Sequence, residues 1–131
     1  MTNIQYNETY EEKLTKDVIL LAGRILLESG AEGTRVEDTM TRIANQLGYH
    51  ESNSFVTNTV INFMLHNETY PRVFRIKSRD TNLFRISRTN GVSRRLIAGS
   101  LSLEEAYTEL EQIYTEQRLR NTYAPRSCSC C

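Results

Sequence analysis

The stretch LESGAEGTRVEDTM, residues 27–40, is predicted to contain the end of one helix, a short turn and the start of a second helix. Gly30 is a natural stop for the first helix, because glycine adopts the left-handed backbone conformation at low cost. Thr34 and Glu37 then have the spacing of a capping box, which predicts that the second helix begins there. The connection is short, so the two helices are expected to pack as an antiparallel hairpin.

Apolar residues recur at helical spacing on both sides of this stretch. The first helix is predicted from about Leu14 to Ser29, and the second reaches about Leu47, with Gly48 ending it. The predicted apolar stripes are Leu14, Val18, Leu21 and Ile25 in the first helix, and Val36, Met40, Ile43, Ala44 and Leu47 in the second.

Beyond the hairpin, residues 52–76 are rich in β-branched and aromatic side chains, which favour strands. We expect two or three antiparallel strands there, with a bend near Thr57-Asn58 and a polar turn at residues 66–69. Two further helices follow, from about Thr81 to Ala98 and from Ser102, which forms a second capping box with Glu105. The face predicted for the third helix is Leu83, Ile86, Asn90, Ser93 and Ile97.

The sequence therefore predicts one α+β domain: a helix hairpin, a small antiparallel β-sheet of two or three strands, then a second helix pair packed on the sheet. The predicted boundaries are a flexible lead-in at 1–13, the domain at 14–119 and a disordered tail at 120–131. A chain of 131 residues is long enough to enclose one core. The longest apolar run, residues 18–22, is far short of the ~20 residues of a membrane-spanning helix.

The charge of the chain is unevenly distributed, although its formal net charge is zero. Residues 72–95 contain eight basic residues and one acidic residue, a net charge of +7, whereas residues 1–50 have a net charge of −3. Ion pairs between elements explain this pattern better than nucleic-acid binding, because the basic stretch lacks the interleaved aromatic residues of a stacking platform. The three cysteines, Cys128, Cys130 and Cys131, all lie in the predicted tail and predict no core disulfide.

The stretch at residues 27–40 resembles the N-terminal domain of the threonine/serine exporter family, whose signature is a "GAE" turn, then an arginine, then "VEDTM". Residues 72–113 resemble a second block of that family, and the resemblance covers about residues 14–117. In the family this domain is cytoplasmic and precedes a bundle of transmembrane helices that exports small hydroxy amino acids. Here only Asn121–Cys131 stands where the first of those helices is expected.

The resemblance implies a soluble cytoplasmic accessory or regulatory domain at the inner face of the cell membrane. Its implied partner is a transmembrane exporter domain in the same or a neighbouring chain, and a homo-oligomer stays open. The alternative is a free-standing binding module or a weak hydrolase that uses a carboxylate/arginine polar centre.

Six residues are the candidates for a ligand site or polar centre: Glu32, Arg35, Asp38, Arg42, Asn90 and Arg94. Arg35, Asp38 and Arg42 recur at helical spacing on one face. One interpretation is an intramolecular ion network in which Arg88 or Arg94 binds Asp38 or Glu32. The other is an open pocket lined by the same groups. Asn90, Ser93 and Arg94 could also hydrogen-bond the turn at residues 30–34.

Enzymatic activity is not predicted. The two histidines, His50 and His66, have no metal-ligand spacing, and no serine lies in a nucleophile motif. A carboxylate pair such as Glu32 with Asp38 could in principle do acid–base work, but such pairs are usually structural. No cofactor, no metal and no nucleic-acid partner is predicted.

Overall fold

A computed structural model describes residues 10–65, 71–77 and 79–123, with side chains up to residue 116. The predicted turn at 66–69, most of the predicted lead-in and the cysteine tail lie outside these residues. The elements are α1 (Tyr10–Glu28), α2 (Gly33–Gln46), β1 (Asn53–Val56), β2 (Val60–Met64), β3 (Arg72–Arg75), α3 (Leu83–Ile97) and α4 (Leu103–Tyr123). None of these helices has, among the described residues, an apolar stretch that could cross a membrane.

The α+β prediction is confirmed, because a helix hairpin is followed by a three-stranded antiparallel sheet in the order β1-β2-β3 and then by a second helix pair. The predicted bend joins β1 to β2. There the Thr57 amide donates to the Val60 carbonyl at 2.9 Å, and the Thr57 hydroxyl accepts from the Val60 amide at 3.1 Å. Helix α1 begins at Tyr10, ahead of the predicted Leu14, and α4 continues to Tyr123, past the predicted domain end at 119.

Helix α1 is the centre of the core, and its buried residues occupy a broad face rather than one narrow stripe. The opposite face is half-buried and is formed by Leu14, Asp17, Leu21, Arg24 and Glu28. Helices α2, α3 and α4 and strand β2 all pack against it, while β1 packs against α2. The second helix pair therefore has the first hairpin, rather than the sheet, as its main packing partner.

The sheet joins the helices through its buried face and through Arg24 of α1. Ile61 and Phe63 of β2 are fully buried, as expected for alternate residues of a strand with one face on the core. The Arg24 guanidinium lies over the ring of Phe74 on β3, 5.4 Å from its centroid, and over that of Tyr114 on α4, at 4.9 Å. Cation–π contacts of this kind help to hold the three elements together.

The two predicted capping boxes have different outcomes. At α4 the Ser102 hydroxyl accepts from the Glu105 amide at 3.2 Å, and Glu105 accepts from the Ser102 amide at 3.3 Å, so that box is confirmed. At α2 the prediction is wrong, because the N-cap is Glu32 and it makes no side-chain capping bond. The Glu37 carboxylate instead accepts from the Val56 amide of β1 at 2.7 Å.

Candidate ligand-binding cleft

A cleft of about 700 Å³ opens between α2 and α3. Its apolar walls include Leu26, Val36, Ile86 and Ile97, and its polar lining includes Thr34, Thr39 and Ser93. All six residues singled out in the sequence line it: Glu32, Arg35, Asp38, Arg42, Asn90 and Arg94. The fold thus brings residues of α2 and the turn before it, and residues of α3, to the same cleft, although the three strands separate them in the sequence.

Helical spacing explains why these side chains share the cleft. On α2, Arg35, Asp38 and Arg42 are three and four residues apart, so they lie along one face. That face borders the cleft, while Met40 and Ile43 face the core. On α3, Asn90 and Arg94 are four residues apart and face the same opening.

The predicted face of α3 lies partly on the cleft rather than in the core. Leu83, Ile86, Asn90 and Ile97 line the cleft, and Leu83 is 73% exposed. Ser93 both lines it and is buried. The other residues that α3 buries are Arg85, Thr89, Val92 and Leu96.

The end of the cleft near Gly30 is built by backbone hydrogen bonds between the α1–α2 turn and the segment that leads into α3. The Asp80 amide donates to the Glu28 carbonyl and the Asn82 amide to the Ser29 carbonyl, both at 2.9 Å. Gly30 has a φ of 97°, and a Cβ there would lie 3.2 Å from the Thr81 Cα. The turn therefore requires glycine both for its conformation and for this close approach.

Two arginines outside the six predicted site residues strengthen this junction. Arg79 donates to the carbonyls of Leu27 at 3.0 Å and Ala31 at 2.9 Å. Arg85 is buried and donates through Nη1 to the Ser29 hydroxyl at 3.0 Å. The high positive charge of residues 72–95 indicated that Arg79 and Arg85 would need partners. Their partners are carbonyl and hydroxyl groups, which cannot be found by counting charged residues in the sequence.

The predicted hydrogen bonds from Asn90, Ser93 and Arg94 to the turn do not form among the described residues. The Ser93 hydroxyl donates instead to the Thr89 carbonyl at 3.0 Å, within α3. Because Arg79 and the segment after it already occupy the carbonyls of the turn, the polar residues of α3 are left facing the opening.

The predicted ion pair between Asp38 and Arg94 or Arg88 is wrong. Asp38 binds Arg42 at 3.0 Å, and both side chains are more than half exposed. Arg88 binds Glu116 at 2.6 Å, and Arg95 binds Glu109, so the acidic partners of α3 lie on α4. The expectation of ion pairs between elements is confirmed: the acidic partner of α3 is α4 rather than the hairpin, whereas Arg72 of β3 pairs with Asp17 of α1 at 3.4 Å.

The remaining charged groups of the cleft have few contacts. Within the part of the chain that the structure describes, neither Arg35 nor Arg94 forms an ion pair. Glu32 is exposed and accepts one long hydrogen bond, from the Thr34 hydroxyl at 3.4 Å. The cleft therefore presents two guanidinium groups and one carboxylate to whatever enters it.

This arrangement suits binding of a small polar molecule. No three His, Cys, Asp or Glu side chains among residues 10–65, 71–77 and 79–116 are grouped to hold a metal ion. Burial raises the pKa of Tyr49 and that of Tyr107, but neither tyrosine lines the cleft.

A comparison with protein families matches residues 17–126 to the family ThrE, described as "Putative threonine/serine exporter". Both walls of the cleft fall inside the matched range. No match was found among curated proteins or among solved structures.

Proposed function

Because this chain belongs to the ThrE family of threonine/serine exporters, we propose that it is an accessory or regulatory domain of such an exporter. In this proposal it works in the cytoplasm, at the inner face of the cell membrane. Membrane crossing is assigned to helices of an exporter domain in the same or a neighbouring chain, and the domain modulates transport without itself forming the path.

One observation carries the accessory role: the charged cleft between α2 and α3 is open, while a continuous core around α1 holds its walls in place. A rigid frame with one polar opening is suited to binding a small molecule or a segment of a partner. The position of the cleft supports the link to the family, because the signature stretch at residues 27–40 forms the turn and much of one wall.

The proposal assigns binding rather than catalysis to this cleft. Acid–base catalysis by a carboxylate pair would need both Glu32 and Asp38 free to exchange protons. Asp38 is bound by Arg42 at 3.0 Å, which leaves Glu32 as the one carboxylate of the cleft without an ion-pair partner among the described residues. We therefore keep the weak hydrolase only as the outcome that a direct assay with small amide and ester substrates would reveal.

The decisive experiment measures efflux of labelled threonine from cells that carry the membrane-spanning exporter part with and without this chain. We expect the two proteins to co-purify and efflux to change several-fold when the chain is present. Unchanged efflux together with no co-purification would refute the accessory role. A chain carrying Leu110→Ala, which is designed to weaken the core, is the control for changes in efflux that do not require the folded domain.

A further inference from the structure

The charges in the α2–α3 cleft do not cancel. Asp38 and Arg42 neutralise each other at 3.0 Å. Arg35, Arg94 and Glu32 remain, which gives the lining a net charge of +1. A ligand that complements this lining needs a negative group to bind Arg35 and Arg94. It must also be compatible with the Glu32 carboxylate, or bind it through a positive group.

Arg35 and Arg94 differ from most arginines of the described chain, which are held by carboxylate, carbonyl or hydroxyl partners. Among the arginines whose side chains the structure describes, up to residue 116, Arg75 on β3 is the one other without a partner. Two of these three arginines thus line the same cleft, from different helices. Guanidinium groups bind carboxylates through paired hydrogen bonds, so two facing one opening suit a ligand carboxylate.

Glu32 adds the second half of the recognition. Its carboxylate is exposed at the cleft, and its one hydrogen bond among the described residues is accepted from the Thr34 hydroxyl at 3.4 Å. Such a group suits a ligand ammonium, through charge-assisted hydrogen bonds. The hydroxyl groups of Thr39 and Ser93 and the amide of Asn90 also line the space and can bind a polar ligand side chain.

We propose that the cleft binds a free α-amino acid, with its carboxylate between Arg35 and Arg94 and its ammonium group at Glu32. The inference rests on the proposed function, because the family description supplies threonine and serine as the amino acids to test. The cleft volume of about 700 Å³ lies in the usual ~300–1,000 Å³ range of small-molecule sites. In this role the domain senses the concentration of the exported amino acid.

The test is calorimetric titration of the purified chain with L-threonine and with L-serine, compared with acetate and inorganic phosphate. We expect Arg35→Gln and Arg94→Gln each to weaken threonine binding at least about tenfold, since each removes a charge-assisted pair of hydrogen bonds. Arg75→Gln is the matched control, an arginine without a partner that lies outside the cleft, and it should leave binding unchanged. Thermal unfolding of every variant checks that the fold is intact.

Glu32→Gln separates an amino-acid site from a general anion site. We expect it to weaken threonine binding and to leave acetate binding unchanged. No detectable threonine or serine binding by the folded wild-type chain would overturn the inference. So would acetate or phosphate binding as tightly as threonine, or an equal loss of affinity with Arg75→Gln.

The two proposals fail separately. If the chain does not bind threonine but efflux still depends on it, only the amino-acid site is refuted. If threonine binds while efflux is unchanged and the two proteins do not co-purify, the accessory role is refuted and the site stands.

Discussion

Replacing Glu37 by alanine tests how the helix hairpin is joined to the sheet. The Glu37 carboxylate accepts from the Val56 amide at 2.7 Å, and Val56 ends β1, an edge strand. At the same junction a Cβ on Gly33 would lie 3.0 Å from the Val56 carbonyl oxygen, so α2 and β1 approach each other closely. The carboxylate thus satisfies an edge amide that no neighbouring strand reaches.

The magnitude follows from the type of bond and its burial. A hydrogen bond to a charged group is worth ~1.5–3 kcal/mol, and losing the acceptor leaves the amide of a residue that is 8% exposed without its partner. We expect Glu37→Ala to lower the free energy of unfolding by ~1.5–3 kcal/mol, a fall in Tm of roughly 5–15 °C for a domain of this size. Glu37→Gln retains an acceptor oxygen and should cost less.

Urea unfolding followed by circular dichroism measures this, with Thr34→Ala as the matched control. A capping box would make Thr34 and Glu37 equal partners, and loss of the Thr34 cap would cost ~1 kcal/mol. In the structure the one hydrogen bond of the exposed Thr34 side chain among the described residues is to Glu32, so its replacement should change stability by less than ~0.5 kcal/mol. A cost near 1 kcal/mol for Thr34→Ala, with strong coupling to Glu37→Ala, would refute this assignment.

Three further predictions concern stability. Leu110 is 1% exposed, so Leu110→Ala should cost ~2–5 kcal/mol in urea unfolding. Gly91 lies inside α3 with open space where a Cβ would be, so Gly91→Ala should stabilise by ~0.5–1 kcal/mol, whereas Gly48→Ala, at a φ of 97°, should destabilise despite equal space. Burial raises the pKa of Tyr49, and the negative charges of Glu12 and Glu11 raise it further. The contribution of Tyr49 to the free energy of unfolding is therefore fully present below the unfolded pKa of ~10 and is lost as pH rises through the folded pKa. In alkaline unfolding titrations, the difference in stability between wild type and Tyr49→Phe should accordingly shrink.

The elements of this fold could be predicted because their signals are local. The glycine at position 30, the apolar repeat of α2, the β-branched run of β2 and the capping box at Ser102 each depend on residues a few positions apart. The resemblance of residues 27–40 to an exporter family, a match of residue order, was confirmed by the family match over 17–126. Helical spacing likewise predicted that Arg35, Asp38 and Arg42 share one face of α2, and it also puts Asn90 and Arg94 on one face of α3.

The partners of the charged residues could not be predicted, because they depend on which elements become neighbours. Asp38 had two kinds of partner within reach, an arginine one helical turn away and the arginines of α3. The local pair needs no long-range alignment, and it is the one that forms. Since α4 lies along α3, its glutamates take Arg88 and Arg95. Charge totals predicted ion pairing correctly but gave no information about adjacency.

The buried face of α3 was misassigned for a related reason. Periodicity counts apolar side chains, and it therefore put Leu83 on the packed face with Ile86 and Ile97, of which Ile86 and Ile97 do pack against the core. The structure buries Arg85 instead, with Nη1 bound to the Ser29 hydroxyl, and leaves Leu83 exposed. A buried arginine is favourable only with a partner already in place. That partner comes from the turn after α1, more than fifty residues earlier in the chain.

The orientation of α3, with Arg85 buried and Leu83 exposed, makes an open cleft possible. Arg79 and Arg85 bind the turn at residues 27–31, and these contacts fix the start of α3 against the end of α1. With Thr89, Val92 and Leu96 committed to the core, Asn90 and Arg94 must face α2 across the opening. Helix α2 meets them with Arg35 rather than with a carboxylate free to bind them, because Asp38 is held by Arg42. Like charges on two fixed helices cannot close the gap by pairing with each other, so an anionic group from outside the chain is the electrostatic complement that this frame lacks.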